Sequence, residues 1–268
     1  MSAQALQKML IRVLFDPSLL NQLNSRPEEV PGVESLTPSE LQELLAQDPR
    51  SFQTDPHRSS RHLQALIEEY PVSVHHLVNG KPGSLLSFFS SGFFHNAVMN
   101  WSSMRLGFEQ FLLEKSGPEL HTLIELEGIM ACCRQATPES PPPKEHWGLN
   151  STVGILKGPT GLSTLYGQLF APLQGGHILE SLRIPPTHDF SLAAQESAWT
   201  LVEKTEAGEL QMGEIPESLA SILQRVRPQA IAEDSLIQTI LSLGADTEEE
   251  ALEVLHSLEA DGLLLSGK

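Results

Sequence analysis

The chain has 268 residues, 40% of them hydrophobic, which suits two modest domains that each bury a core. Its formal charge of −17 argues against nucleic acid as a ligand, because affinity for nucleic acid comes mainly from lysine and arginine. No run of about 18 apolar residues occurs, and the start MSAQALQKMLIRVLF lacks the order of a secretory signal, so we expect a cytoplasmic protein.

The N-terminal half of the chain has helical periodicity almost throughout. Its first apolar stripe, with three- and four-residue spacing, consists of Leu6, Met9, Leu10, Val13 and Leu14. Thr37, Pro38 and Glu40 predict a helix start, with Thr37 as N-cap and Glu40 completing a capping box. Asp55 followed by Pro56 predicts a second start of this kind. We therefore expect an all-helical first domain.

A proline-rich segment, TPESPPPKEH, follows the helical region. It contains four prolines and no apolar periodicity, so it cannot continue the preceding helix and indicates a stiff linker. The sequence accordingly predicts a helical domain at residues 1–136, a linker at 137–148 and a second domain at 149–268. The fold class predicted for the whole chain is α+β.

The second domain begins with alternating segments that predict strands. These segments are NSTVGILK, SAWTLVEK and ELQMGEI, and Thr205–Gly208 between the last two reads as a hairpin turn. Helices are predicted at 216–226, 233–243 and 247–260, followed by the short strand LLLS. Residues 158–191 predict no element beyond a brief apolar run. This order of strands and three helices is that of a winged helix.

A search for catalytic motifs finds no Gly-rich phosphate loop, metalloprotease helix or nucleophile elbow. One group of residues has ligand character: Glu119, His121, Glu125 and Glu127. His121 and Glu125 share a helix face, but Glu127 lies well round the helix, so at most two ligands converge. This group alone leaves open the alternative that the chain is a stand-alone metalloenzyme.

The adjacent Cys132 and Cys133 are predicted to be reduced thiols in the core.

Two blocks of the sequence resemble a known family. GSLLSFF with LGFEQFLLEKSGPELHTLIELEGIMACC is similar to the helical domain of the partner subunits of multinuclear non-heme iron-dependent oxidases. AWTLVEK, the hairpin and LHSLEADGLLLS resemble the peptide-recognition winged helix, or RiPP recognition element, of the same partners. The resemblance covers most of the chain and is nearest to the partners of the 3-thiaglutamate pathway, then to those of the methanobactin pathway.

This resemblance implies a non-catalytic subunit with no cofactor of its own. The iron would lie in a separate oxidase subunit that forms a heterodimer with this chain. The chain would bind the leader of a ribosomally synthesised precursor peptide and present its cysteine for oxidative modification, including removal of the cysteine β-carbon. Neither nucleic acid nor membrane would be a partner.

By analogy with peptide-recognition winged helices, the strand at 209–214 and the helix at 247–260 would form two walls of a peptide groove. The predicted peptide-binding residues are Glu209, Leu210, Gln211, Met212, Gly213, Glu248, Ala251, Leu252 and Leu255. An acidic rim of Glu248, Glu249 and Glu253 would favour a leader that carries lysine or arginine.

The aromatic segment FFSSGFFHNAVMNW is the predicted contact with the oxidase, because aromatic residues are enriched at interface centres. Its predicted interface residues are Phe93, Phe94, His95 and Trp101.

A transcription regulator is the other functional class that stays open, since a helical sensor domain joined to a winged helix is a common domain arrangement. The acidic first turn of the last helix argues against that class.

Overall fold

The computed structural model describes residues 2–53, 55, 57–137, 140–175, 177–186, 196–227 and 229–267. The fold is α+β, with many helices and two small antiparallel sheets. The chain divides into two compact units, Met1–Ile124 with Pro172–Asp189, and Glu125–Ala171 with Phe190–Lys268. Within the described ranges, no helix combines the length and the apolar character needed to cross a membrane.

The helices follow one another along the chain, with short 3-10 turns between several of them. They are α1 (Ser2–Phe15), α2 (Ser18–Ser25), α3 (Pro38–Leu45), α4 (Arg58–Glu69), α5 (Pro71–Val78), α6 (Gly92–Asn100), α7 (Met104–Lys115), α8 (Pro118–Gln135), α9 (Leu162–Phe170), α10 (Ile178–Ser181), α11 (Glu217–Val226), α12 (Glu233–Ser242) and α13 (Glu248–Ala260). The longest 3-10 segment, Pro82–Ser90, leads into α6.

The strands among the described residues are short and lie in the second unit. They are β1 (His146–Leu149), β2 (Val153–Pro159), β3 (Ser197–Lys204), β4 (Leu210–Ile215), β5 (Ile231–Ala232) and β6 (Leu264–Ser266). One sheet has the order β5-β1-β6 and the other the order β2-β3-β4, with antiparallel pairing throughout.

Helix starts agree with the sequence in two cases and differ in one. Thr37 caps α3, and the reciprocal bond from its amide to Glu40 completes the predicted capping box. Asp55 is not the cap of α4, which begins at Arg58; its carboxylate instead accepts from the His57 amide, and Pro56 lies outside the described residues. Thr247 caps α13, whose predicted start was residue 247, and the Glu250 carboxylate accepts from the amide of Asp246.

The end of the predicted linker at 137–148 belongs to a strand. His146–Leu149 pairs with β5 on one side and β6 on the other, so it is the central strand of its sheet. The amide of Glu145 donates to Gly267, which extends the contact beyond the strand. The sequence pattern missed this strand because HWGL is short and β5 has only two residues.

The core of the first unit is built largely on phenylalanine rings. The Phe88 ring lies 5.1–5.7 Å, between centroids, from the rings of Phe89, Phe94, Phe108 and Phe111. All of these rings are buried. Aromatic pairs at such distances add to the free energy of burial by about 0.5–1.5 kcal/mol each. Much of the aromatic segment therefore holds the unit together.

In the second unit, the β2-β3-β4 sheet has helices on both faces. Val153, Ile155 and Trp199 share a hydrophobic core with the buried residues of α11, α12 and α13. On the other face, Gly154 meets α8 so closely that an added Cβ would lie 2.2 Å from Ile129 Cγ2. The absence of a side chain at Gly154 thus permits α8 to approach the sheet.

This approach gives a stability prediction. Gly154→Ala should destabilise the protein by about 1–3 kcal/mol, the usual range for overpacking, because the β-branched Ile129 cannot move aside at its Cγ2. Gly167→Ala is the matched control, since no atom lies within 4 Å of an added Cβ there and α9 gains a better helix former. Urea unfolding followed by circular dichroism measures both; equal stabilities would contradict the packing described.

Candidate functional site

The hairpin between β3 and β4 has a three-residue loop of defined geometry. The amide of Gly208 donates to Thr205 at 2.8 Å, and the amide of Thr205 donates to Glu209 at 2.8 Å. Gly208 has a φ of +84°, which an L-residue adopts only with strain. The turn predicted at Thr205–Gly208 is therefore confirmed, as a type I turn with a glycine bulge.

The register of the sheet decides which backbone groups of β4 point outward. The backbone amide of Lys204 donates to the carbonyl of Thr152 at 3.0 Å. The backbone groups of even-numbered β3 residues therefore bond to β2, and those of odd-numbered residues bond to β4. Glu203 and Leu201 are paired with Gln211 and Gly213. The amide and carbonyl groups of Leu210, Met212 and Glu214 consequently point away from the sheet.

The outer side of β4 is open in the part of the chain that the structure describes. No strand pairs with it, and the outward amides of Leu210 and Met212 have no backbone partner within the described ranges. The opposite edge differs, since Arg227 Nη1 donates to the carbonyl of Ile155 on β2 at 3.2 Å. An open strand edge is a template to which another chain can add by backbone hydrogen bonding.

The two side-chain rows of β4 lie on different faces of the sheet. Met212 is paired with Val202, which is paired with Gly154, so Met212 and Leu210 share the face that α8 covers. Helix α9 also lies against β4. Gln211 and Gly213 belong to the face that packs on α11, α12 and α13. Leu210 and Met212 are half-buried, whereas Gln211 and Gly213 are exposed.

The structure corrects the predicted groove between β4 and the last helix. Ala251 and Leu255 are 0% exposed and fill the core, so their side chains cannot contact a peptide. Leu252 is half-buried and Glu248 is exposed. Because Leu210 and Met212 face α8 and not the layer containing α13, these residues do not form two walls of one groove. Alternation within β4 was readable in the sequence, but its orientation was not.

Two acidic side chains lie along the open edge. Glu214 is exposed on β4, and Glu209 is exposed just before the strand begins. The Glu214 carboxylate accepts a hydrogen bond from the Gly161 amide, just before the first turn of α9. No sequence signal marks Glu214 as a site residue, because its proximity to α9 depends on a segment whose sequence predicts no element.

A second feature of this unit is a cleft of about 670 Å³ at the hairpin end of the sheet. It is lined by residues of α13, of β6 and of the sheet, including Glu203, Glu206 and Asp261. Lys204 also lines it, but its ammonium group donates to the carbonyls of Arg134 and Ala136 at the end of α8. Carboxylates therefore border the cleft, and the ammonium group of Lys204 bonds to backbone carbonyls.

Two of the four predicted oxidase contacts belong to the interior of the first unit. Phe94 is 1% exposed within the phenylalanine core. His95 accepts from Arg12 Nε at 3.1 Å and its Nε2 lies 3.4 Å from Asp16 Oδ2. Burial raises the pKa of Asp16, but hydrogen bonds from His95 and Ser18 outweigh it and hold that pKa below its usual value. Structural roles account for Phe94 and His95.

The other two predicted contacts are accessible. Phe93 is half-buried and helps to line a cleft of about 550 Å³ with Asn96 and Lys115. Trp101 is 49% exposed, ends α6 with a φ of +50°, and has the Lys8 ammonium 5.5 Å from its ring centroid. A large side chain held outward in a left-handed backbone conformation is unusual and marks Trp101 as a candidate contact.

The group considered as a metal site does not converge. His121 Nε2 lies 3.2 Å from the carbonyl of Leu113, and Glu127 is buried and accepts from the Tyr166 hydroxyl at 3.1 Å. Burial and the Glu127 charge raise the pKa of Tyr166 far above its ordinary value. In the described ranges, no cluster of three or more His, Cys, Asp or Glu side chains could hold a metal ion.

The adjacent cysteines differ in exposure. Both are free thiols, but Cys132 is exposed and only Cys133 is buried, so the prediction of two core thiols is wrong for Cys132. Burial raises the pKa of Cys133 to about 11, with a further contribution from Cys132. Cys133 is accordingly a protonated packing residue at neutral pH.

No protein-family model matches this chain, and no curated protein sequence matches it.

The conformation of Trp101 gives a second prediction. Trp101→Gly should be more stable than Trp101→Ala by about 1 kcal/mol, because both lose the indole but only glycine relieves the left-handed backbone. Urea unfolding of the two variants measures this difference. Equal stabilities would show that the backbone changes conformation once the indole is removed.

Proposed function

We propose that the chain is the non-catalytic partner subunit of a multinuclear non-heme iron-dependent oxidase. It binds the leader of a ribosomally synthesised precursor peptide and presents the peptide's cysteine to the iron centre of the oxidase subunit. The observation that carries this proposal is the open edge of β4, where the amides and carbonyls of Leu210 and Met212 point outward. An extended peptide pairs with such an edge without needing a positively charged surface.

The order of elements in the second unit supports this assignment. The strands β2, β3 and β4, with α9 and α10 between the first two, precede α11, α12 and α13, and strands followed by three helices are the order expected of a peptide-recognition winged helix. These three helices cover one face of the sheet, and no strand of the described residues pairs with the β4 edge. A winged helix that reads DNA would use the first turn of its recognition helix, which here carries Glu248, Glu249 and Glu250. Three carboxylates at that position would repel phosphate.

The first unit would provide the contact with the oxidase. Trp101 and Phe93 are the accessible members of its aromatic segment, since Phe94 is buried in the core. Exposed tryptophans are frequent energetic centres of protein interfaces. The chain would therefore engage the peptide with its second unit and the oxidase with its first. On this proposal it is a cytoplasmic protein that functions as a heterodimer.

Peptide binding is tested at the residue whose amide points outward from β4. Met212→Pro removes that amide while keeping every bond to β3, and prolines are tolerated at outward edge positions. We expect about a tenfold loss of affinity for a cysteine-bearing precursor peptide whose gene adjoins the gene of this chain, since backbone pairing there is lost. Isothermal titration with the full chain measures it.

Met212→Ala is the matched control, because it removes the side chain and keeps the amide. It should bind the precursor within about threefold of the unchanged protein. Circular dichroism of each variant verifies that the sheet is intact. Unchanged affinity in a folded Met212→Pro variant would refute pairing at this edge.

Oxidase binding is tested separately with the first unit. Trp101→Gly, which keeps the backbone relaxed, should reduce co-purification with a co-expressed multinuclear iron oxidase by about tenfold, the scale of an interface tryptophan. Met212→Pro should leave co-purification unchanged because it alters the other unit. Full retention of the oxidase by Trp101→Gly would place the contact elsewhere.

A further inference from the structure

Each position along the open edge of β4 has a different chemistry. The edge can therefore discriminate between peptide sequences as well as bind a peptide. We infer that β4 selects an extended segment whose residues read, from its N-terminal end, basic, aromatic, apolar, polar and apolar. This inference rests on the proposed function and specifies the peptide chemistry that the edge recognises. It follows from the register, the space and the charge along β4.

The register assigns each residue of a docked strand to one face of the sheet. In the antiparallel arrangement, which is the more stable one per residue, positions opposite Leu210, Met212 and Glu214 exchange hydrogen bonds with them. The side chains at those positions lie on the face that α8 covers. Positions opposite Gln211 and Gly213 make no such bonds, come closer to β4, and lie on the opposite face.

Space and polarity then distinguish the positions. Gly213 is exposed, and a Cβ built on it meets no atom within 4 Å, so β4 offers bare backbone there. A flat aromatic ring opposite a strand glycine covers such backbone. Leu210 and Met212 are half-buried, so apolar peptide side chains opposite them would bury them further. Gln211 is exposed and accepts a polar partner.

Charge complementarity fixes the end of the segment. Glu214 is exposed at the end of β4 that an antiparallel strand reaches first, so a lysine or arginine fits opposite it. The lysines of this sheet do not offset that charge. Lys204 donates to carbonyls of the α8 end, and Lys157 lies 3.9 Å from Glu217. The basic residue is therefore placed at the N-terminal end of the segment.

The test uses fluorescein-labelled peptides in which five residues are flanked by glycine and serine. The matched probe contains Lys-Phe-Val-Ser-Val, and the reversed probe contains Val-Ser-Val-Phe-Lys with identical composition. Fluorescence anisotropy with the full chain should give at least about fivefold tighter binding of the matched probe, since only its order satisfies all five positions. Equal affinities would overturn the inference, as would failure of the matched probe to bind.

Variants assign the preference to individual positions. Glu214→Gln retains an acceptor for the Gly161 amide but removes the charge, so it should weaken the matched probe about threefold and reduce its salt dependence. Glu206→Gln, at the exposed hairpin turn, is the matched control and should change nothing. Gly213→Val should weaken the matched probe by occupying the ring's space. An unchanged affinity in both Glu214→Gln and Gly213→Val overturns the assignment.

Two further outcomes separate this inference from the proposed function. If the precursor binds and Met212→Pro abolishes its binding, but the two probes bind equally, the inference fails and the proposed function stands. If the probes show the expected preference while the precursor does not bind, the edge chemistry stands and the proposed function fails.

A different occupant of the edge is also detectable. If the chain dimerises through β4 and Met212→Pro abolishes the dimer, the occupant is a second copy and the inference is overturned.

Discussion

The three-residue turn at Gly208 is the constraint on which the candidate site depends. Its hydrogen bonds set the β3–β4 register, and the register determines which amides of β4 bond inward and which point outward. Side chains alternate with a period of two, so a slip of one residue would exchange every inward and outward group along β4. The glycine bulge is thus a local feature whose effect reaches the far end of the strand.

The faces of the strand are set by a second close contact, between the sheet and α8. Gly154 allows Ile129 to approach the backbone of β2, which defines the face shared by Leu210 and Met212. The core formed with α11, α12 and α13 defines the other face. These two layers cover the faces of the sheet, and no strand pairs with the outer side of β4 within the described residues. The proposed peptide would pair with the outer edge of β4, which neither of these layers covers.

Aromatic content predicted a functional surface in the first unit less well. Phe94 and its neighbours form the core, and His95 belongs to a buried network with Arg12 and Asp16. A run of phenylalanines is typical both of an interface and of a core, and composition cannot separate the two. Trp101 differs because the end of α6 holds it in solvent.

Much of the fold was readable from the sequence because its signals are local. The capping box at Thr37 and the hairpin turn before Gly208 depend on residues within one turn of each other. Helical periodicity likewise predicted α11, α12 and α13 close to their observed bounds. The short strands β1 and β5 escaped notice, since they are stable only through pairing with distant segments.

The sequence by itself determined the α+β class, most helices, the β3–β4 hairpin and the acidic character of the surface. Only the tertiary structure decided that Ala251 and Leu255 are core residues, that Leu210 and Met212 face α8, and that Glu214 meets α9. The physical reason is that alternation along a strand specifies two faces without saying what covers each. That assignment depends on packing between segments far apart in the chain.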